Sequence, residues 1–174
     1  ARTADLVIAG QRDPDYDFSI VLDVPERLAV ETGRPVLVIP RVGDFPTIGS
    51  RVTVAWNGGR EAARATFDAL PLLQLAQSVR VVSVSQHDDG TVGRSLPTTE
   101  IATTLARHGI RVEAAMTTAE NIKVGDALLS GLCDEQTDLL VMGAYGHSRF
   151  REMVFGGATQ HILAHMTAPV LLSH

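Results

Sequence analysis

The sequence is short of three kinds of feature, and each shortage excludes a class of protein. One cysteine, Cys133, occurs in 174 residues, so an internal disulfide or a thiolate-rich metal site within one chain is excluded. The 15 basic residues are outnumbered by 20 acidic ones, which argues against a nucleic-acid coat or a binder of anionic membranes. Apolar runs reach only about 6 residues, far below the roughly 20 that span a bilayer. We therefore expect neither nucleic acid nor membrane as a partner.

The remaining composition is that of a globular chain. Hydrophobic residues make up 45% and charged residues 20%, which is enough apolar material for a sizeable core. The sequence has no basic start followed by an apolar stretch, the pattern typical of a secretory signal. We therefore expect a reducing, cytoplasmic setting.

From Arg51 onward, short β-branched apolar runs alternate with helical patterns. The runs predicted to be strands cover residues 52–55, 79–84, 110–112, 139–142 and 170–172. Several are apolar throughout, which is typical of strands that are covered on both faces. The alternation predicts an α/β fold with a five-stranded parallel doubly wound (Rossmann-like) sheet in the order 3-2-1-4-5.

The first 40 residues repeat the end of the chain. Residues 4–10 resemble residues 137–143, and residues 34–38 resemble residues 168–172. The offsets between the two pairs of segments differ by only one residue, which makes a chance match hard to sustain. We predict that residues 1–41 are the C-terminal half of a degenerate first domain, that 42–50 form a linker, and that 51–174 form a complete domain. The sheet would then carry a partial N-terminal repeat of the same fold.

A glycine-rich segment lies between the fourth predicted strand and the last helix. Gly143 and Gly146 permit tight turns and a close approach of the backbone to a ligand. The last helix is predicted to begin near Gly156, and the unpaired N–H groups of its first turn suit a phosphate. The loop at residues 56–60 follows the first strand of the predicted sheet and reaches the same crevice, where the strand order reverses. Two loops thus converge on one candidate ligand site.

These residues resemble a known family. The spacing Gly143-x2-Gly146-x9-Gly156 resembles the G-x2-G-x9-G nucleotide-binding signature of universal stress proteins, and the resemblance covers about residues 50 to 174. Together with the repeat, it implies a tandem-domain member that lacks the first half of its first domain. The resemblance implies a stress-response regulatory module that binds ATP, ADP or AMP without rapid turnover, and it leaves any metal unassigned.

The resemblance also implies which residues bind the nucleotide. The glycines of the loop would contact phosphate, Asn57 would lie near the ribose and triphosphate, and adenine would lie between Ala55 and Val84. His147 and Arg149 would neutralise phosphate charge. The implied cofactor-binding residues are Ala55, Trp56, Asn57, Val84, Met142, Gly143, Gly146, His147, Arg149, Gly156, Gly157, Ala158 and Thr159. Asn57 stands where the family usually has aspartate, and Gly157 stands where it usually has serine or threonine.

Two other functions remain open at this point. One is a ligand-free dimerisation or interaction scaffold with a vestigial pocket. The other is a slow ATP hydrolase or adenylate-transfer enzyme, in which His147 or Glu152 activates water. No residue is assigned as catalytic, and His161 and His165 are interpreted as surface or interface residues rather than zinc ligands. Universal stress domains pair through their last strand, so we predict that residues 36–39 lie antiparallel to residues 170–173, with self-association through these strands.

Overall fold

The computed structural model describes residues 1–13, 24–86, 98–119, 122–145 and 157–174, and it contains seven strands and six helices. The strands are β1 (Val7–Gly10), β2 (Val36–Ile39), β3 (Arg51–Ala55), β4 (Ser78–Gln86), β5 (Val112–Ala119), β6 (Leu139–Gly143) and β7 (Val170–Ser173). The helices are α1 (Val24–Glu31), α2 (Arg60–Asp68), α3 (Leu70–Leu73), α4 (Thr98–Arg107), α5 (Val124–Asp134) and α6 (Gly157–His165). Within these ranges, no helix has the length and apolarity needed to cross a membrane.

The strands form one mixed sheet in the order β1-β2-β7-β6-β3-β4-β5. Every neighbouring pair is parallel except β2 and β7. The prediction of a five-stranded parallel sheet plus a partial N-terminal repeat is therefore wrong in strand number: there is one mixed sheet of seven strands, because β2 pairs with β7 and extends it. Inside this larger sheet the strands from residue 51 onward have the neighbour order β5-β4-β3-β6-β7.

The pairing of β2 with β7 joins the two copies of the repeat. Leu37 lies opposite Leu171 at the centre of the pair, with Val36 opposite Leu172 on one side and Val38 opposite Val170 on the other. The predicted antiparallel arrangement of these two segments within the chain is confirmed. Since β2 also pairs with β1 and β7 also pairs with β6, the part of the sheet that the structure describes ends at β1 and at β5.

Two apolar cores lie on opposite faces of the sheet. Side chains from α2, α3 and α4, including Leu73 and Leu105, cover one face over Val54 and Val141. Side chains from α1, α5 and α6, including Ile162, cover the other face. Successive residues of β6 alternate between the two cores, as the pleat of a strand requires. Helices on both faces of a largely parallel sheet make this a Rossmann-like α/β fold.

Asp138 anchors the segment that leads into β3. Its carboxylate accepts hydrogen bonds from the backbone amides of Gly49, Ser50 and Arg51 at 2.8–3.1 Å and from the Thr47 hydroxyl at 3.0 Å. Hydrogen bonds to a charged acceptor are worth more than neutral ones. The sequence places Asp138 immediately before the apolar run of β6, so this carboxylate holds the amino ends of β3 and β6 together.

We expect Asp138→Ala to lower the free energy of unfolding by about 2 kcal/mol, because three backbone amides lose their acceptor. Urea denaturation followed by circular dichroism measures the change. Asp5→Ala is the matched control: Asp5 is the counterpart of Asp138 in the repeat, it is exposed, and it makes no hydrogen bond within the described ranges. Equal losses in the two variants would contradict this role of Asp138.

Candidate functional site

A cavity of about 210 Å³ opens at the carboxyl ends of β3, β4 and β6. Nine of the predicted site residues line it, and they come from three strand ends and from the first turn of α6. These nine are Ala55, Trp56, Asn57, Val84, Met142, Gly143, Gly157, Ala158 and Thr159. The other four, Gly146, His147, Arg149 and Gly156, lie outside the described residues. The structure therefore brings the two predicted loops to one hollow, and the role of each residue in binding stays a prediction.

The floor of the cavity is apolar. Ala55, Val84 and Met142 supply it from the sheet, and Leu128 adds a wall from α5. We call this apolar part of the cavity the slot, and apolar walls of this kind suit a flat heteroaromatic ring. Trp56 does not fill the slot, because its indole packs against the core on the opposite face of the sheet. Its backbone N–H donates to the Val82 carbonyl at 2.8 Å, which fixes the position where the chain leaves β3.

Asn57 forms the corner between β3 and α2. Its side-chain oxygen accepts a hydrogen bond from the Gly59 amide at 2.9 Å, and Gly58 adopts a left-handed conformation with φ of +73°. Gly59 is the N-cap of α2, and no side chain caps that helix. The Asn57 oxygen is therefore committed to the turn, and a ribose hydroxyl would compete with the Gly59 amide for it.

The first turn of α6 forms the polar rim. Gly157, Ala158 and Thr159 all line the cavity, and the amides of a first helical turn have no acceptor within the helix. The Thr159 hydroxyl is buried and accepts from the Tyr145 amide at 3.5 Å, which ties the exit of β6 to α6. Amides at the positive end of a helix dipole, with no acceptor inside the helix, are suited to an anion.

Gly143 serves the protein's own packing. A Cβ at this position would lie 2.5 Å from the Ala62 nitrogen and 2.5 Å from the Glu61 carbonyl carbon. The start of α2 therefore crosses β6 at a distance that only glycine allows. Gly143 also lines the cavity, so its predicted contact with a ligand stays a prediction beside this packing role.

Comparison with known proteins agrees with this fold. The model of the universal stress protein family matches residues 50–174. The chain belongs to the universal stress protein family. Over 172 residues it is 31% identical to the universal stress protein Slr1230 of Synechocystis, in an alignment that covers 96% of this chain and 57% of the relative.

Solved structures of this family share the fold. A universal stress protein from Archaeoglobus fulgidus superposes with a TM-score of 0.73 at 18% identity. The superposition covers 97% of this chain and 60% of the Archaeoglobus chain. A universal stress protein family protein from Arabidopsis thaliana, solved with AMP bound, has a TM-score of 0.51 at 16% identity and covers 71% of this chain and 90% of its own. The chain thus spans less than two thirds of the Synechocystis and Archaeoglobus relatives.

Several residues of this universal stress protein site were not predicted from the sequence. They are Ala62, Val82, Val124, Leu128 and Tyr145. Val124 and Leu128 are four residues apart on one face of α5, and both also belong to the apolar core on that face of the sheet. An apolar helix face over the carboxyl ends of parallel strands can pack in the core and also line a cavity. The sequence does not show where the helix starts relative to the strand ends, so these residues were not predicted to line the cavity.

The histidines of α6 join two helices. His161 Nε2 lies 2.6 Å from a carboxylate oxygen of Asp126 on α5, and the His161 and His165 rings stack with centroids 4.4 Å apart. The His165 Nδ1 is hydrogen-bonded to the His161 carbonyl at 2.9 Å. Over the described ranges, no group of three or more His, Cys, Asp or Glu residues is placed to hold a metal. The Asp126–His161 contact fixes α6 against α5, and both helices line the cavity.

Glu61 is a buried carboxylate at the first turn of α2. Burial raises the pKa of Glu61, but this is outweighed by the hydrogen bond from Arg60, by its own backbone amide and by the charges of Arg60 and His174, so the pKa is lowered from its usual 4.5. A folded pKa below the unfolded one stabilises the fold above about pH 4.5, and this contribution is lost as the pH falls through the folded value.

We therefore expect Glu61→Gln to be less stable than the parent at pH 7 and the difference to shrink as the pH falls below about 4.5. Urea denaturation at pH 7, pH 4.5 and pH 3.5 measures the gap. Glu100→Gln is the control, since Glu100 is exposed on the first turn of α4. A gap that stays constant across these three pH values would show that the ionised carboxylate is not the stabilising species.

Proposed function

We propose that this chain is a regulatory module of the stress response that binds an adenine nucleotide, namely ATP, ADP or AMP, without rapid turnover. The observation that carries the proposal is that one cavity joins an apolar slot to the first turn of α6, whose amides have no acceptor within the helix. The AMP bound to the Arabidopsis relative supports an adenine nucleotide as the ligand class. No residue is proposed as catalytic.

The proposed arrangement follows from the chemistry of the lining. Adenine would lie in the slot against Ala55 and Val84, and phosphate would lie at the amides of Gly157 and Ala158. The volume of about 210 Å³ is below the roughly 300–1,000 Å³ of typical ligand pockets, so part of the nucleotide would extend beyond the described walls. Gly146, Gly156, His147 and Arg149 remain proposed phosphate contacts from the neighbouring loop.

Isothermal titration with AMP, ADP and ATP tests the proposal. We expect saturable binding of one nucleotide per chain, with weaker binding of adenosine because it lacks the phosphate that α6 would hold. Ribose 5-phosphate should bind more weakly still, because it leaves the slot empty. No saturable binding at millimolar nucleotide, by protein whose circular dichroism shows a folded state, would reject nucleotide binding.

A ligand-free interaction scaffold is the second candidate. The observation that favours it is the hydrogen bond from the Gly59 amide to the Asn57 oxygen, which occupies the group that the resemblance assigned to the nucleotide. The small volume of the cavity points the same way. The scaffold predicts that the titration above is flat and that substitutions around the cavity change stability alone. ATP turnover above a buffer blank would instead support the hydrolase or adenylate-transfer alternative.

We further propose a tandem organisation, in which residues 1–41 are the second half of a first domain, 42–50 a linker, and 51–174 a complete domain. The matching registers of β1 with β2 and of β6 with β7 support it. Self-association is a proposal as well: β2 and β7 already have neighbours on both sides, so a second chain would contact another surface. The proposed location is the cytoplasm.

A further inference from the structure

A second cavity opens at the opposite end of the strands from the proposed nucleotide site. It lies at the amino ends of β3, β4 and β5, it has a volume of about 190 Å³, and its walls come from the first residues of these strands and from the segment that follows α5. We call it the amino-end cavity. Its volume is below the roughly 300–1,000 Å³ of pockets for drug-sized ligands, so it suits a group as small as a single phosphate.

One face of these three strands changes from apolar to polar at the amino-end cavity. Ala55 and Val82 pack against the apolar core under α5 and α6. Side chains of successive strand residues alternate between faces, so residues two apart share a face. Two positions earlier, the same face carries a polar row in which Thr53 lies opposite Arg80 and Arg80 lies opposite Glu113.

A second polar row lies two residues earlier again and therefore on the same face. It consists of Arg51, Ser78 and Arg111. Arg51 lies opposite Ser78, and the Val79 amide donates to the Arg111 carbonyl at 3.0 Å, which continues the pairing of β4 with β5 by one residue. Neighbouring strands are about 4.8 Å apart, so the two arginines flank the serine from strands about 10 Å apart.

Arg80 is balanced by carboxylates of the protein itself. Its guanidinium forms an ion pair with Glu135, the C-cap of α5, and its Nε lies 4.0 Å from a carboxylate oxygen of Glu113. A separation of 4.0 Å is too long for a hydrogen bond, and the Glu113 side chain is 74% exposed. Both acidic side chains of the cavity thus lie beside Arg80 rather than beside the arginines of the other row.

Arg51 and Arg111 carry charges that no carboxylate in the described part of the chain neutralises. Both are exposed; Arg51 donates to the Gln136 side-chain oxygen at 2.6 Å, and within the same ranges the Arg111 side chain forms neither a hydrogen bond nor an ion pair. The chain has a formal net charge of -5, so an anion is repelled by the molecule as a whole and is held only where cations are concentrated. Two such guanidinium groups on either side of a serine make the amino-end cavity a place of this kind.

Buried hydroxyls add neutral donors to the floor of the cavity. Thr53 is buried, and its Oγ1 lies 2.7 Å from the Oγ1 of Thr137. In such a pair one hydroxyl donates to the other, so the second hydroxyl still has a hydrogen to donate. An oxyanion accepts from hydroxyl and guanidinium donors alike, whereas a cation would find only the two glutamates beside Arg80.

We propose that the amino-end cavity is a second anion site, in which a phosphate dianion, either inorganic phosphate or the phosphate group of a small ester, lies over Ser78 between Arg51 and Arg111. Each of the two guanidinium groups donates to phosphate oxygens, and Arg80 adds charge from the next row. Glu113 is an exposed carboxylate on the same face, and it opposes binding. The site is at the other end of the strands from the cavity at α6, and it does not depend on nucleotide binding.

A titration followed by two-dimensional amide NMR spectra tests the proposal. Inorganic phosphate and glycerol phosphate are added separately at constant ionic strength and about pH 8, where a phosphate monoester is a dianion. We expect saturable shifts of the amides of Ser78 and Arg111. The amides of α6 report separately on phosphate at the nucleotide cavity, so one spectrum distinguishes the two sites. The probe that binds more tightly identifies free phosphate or an ester as the preferred ligand.

Three variants test which charges hold the phosphate. Arg111→Gln should weaken its binding about tenfold, because one charge-assisted contact is lost. Arg107→Gln is the matched control: Arg107 is exposed in the last turn of α4, outside the lining of the cavity, and its removal changes the net charge equally. Affinity in this control should stay within about twofold of the parent. Glu113→Gln should tighten binding about threefold, because it removes the opposing charge.

Each of three results would overturn the proposal. The first is the absence of saturable shifts at Ser78 and Arg111, and the second is a set of shifts confined to the first turn of α6. The third is an equal loss of affinity in Arg111→Gln and Arg107→Gln, which would mean that phosphate senses only the overall charge. Failure of AMP to bind leaves all of these measurements interpretable, because they report on the other end of the strands.

Discussion

Gly143→Val should lower the free energy of unfolding by about 3 kcal/mol or more. The added Cβ alone would lie 2.5 Å from two backbone atoms at the start of α2, and backbone cannot move aside as a flexible side chain can. Overpacking of a core by extra methyl groups typically costs about 1–3 kcal/mol, and contact with backbone places this site at the upper end. The first turn of α2 would have to lift from β6, which would also widen the cavity.

Gly10→Val is the control that separates this clash from the general effect of valine in a strand. Gly10 is the repeat counterpart of Gly143, and a Cβ there meets nothing within 4 Å in the 174-residue chain. Valine favours strands, so Gly10→Val should be neutral or slightly stabilising. Urea denaturation of both variants decides the matter, and a loss at Gly143 no larger than that at Gly10 would refute the packing role of Gly143.

The contrast between these two glycines shows what the sequence could and could not predict. The repeat and the apolar runs locate β1, β2, β6 and β7, because each run is short and apolar. Burial separates them: β2, β6 and β7 are buried along most of their length, whereas Ile8 of β1 is exposed. What each glycine touches depends on whether a neighbouring helix start is present, and that is a tertiary property. The sequence alone therefore suggested only a ligand contact for Gly143, and the close approach of the α2 backbone became visible only in the folded structure.

The edge of the sheet was also hard to predict. The apolar pattern placed the third strand of the complete domain at residues 110–112, whereas β5 runs from Val112 to Ala119 and carries exposed residues along much of its length. A strand at the end of a sheet pairs with a single neighbouring strand and is partly exposed to solvent. Its sequence therefore needs fewer apolar residues, and a search for apolar runs locates it poorly. Pro71, by contrast, has a clear local signal, because proline interrupts a helix but fits the first turn of a new one, and it lies in the first turn of α3.

The sequence predicted the part of the candidate site that lies at the ends of the strands, because it predicted where those strands end. Parallel strands bring their carboxyl ends to one edge, so Ala55, Val84 and Met142 meet once the strands are located. The walls from α5 depend on how that helix is set over the sheet, and the Asp126–His161 contact that helps to set it joins residues far apart in the sequence. Contacts of that kind have no local pattern.

Ala158→Asp should weaken AMP binding by about 30-fold or more, if the proposed phosphate position is right. Ala158 is exposed, lines the cavity and lies in the first turn of α6, so the new carboxylate would stand beside the phosphate. Two like charges about 4 Å apart near a protein surface repel by several kcal/mol before screening, and about 2 kcal/mol of that corresponds to the expected loss. An acidic residue in a first helical turn stabilises the helix, so folding should be kept or improved.

Ala158→Asn separates charge from size, because asparagine has nearly the same volume as aspartate and no charge. We expect the Asn variant to keep AMP affinity within about threefold of the parent, and added salt to narrow the gap between the two variants. Adenosine has no phosphate, so both variants should bind it equally. Equal loss of AMP affinity in Ala158→Asp and Ala158→Asn would mean that bulk at the rim matters rather than charge, and the phosphate would then lie elsewhere than at the amides of α6.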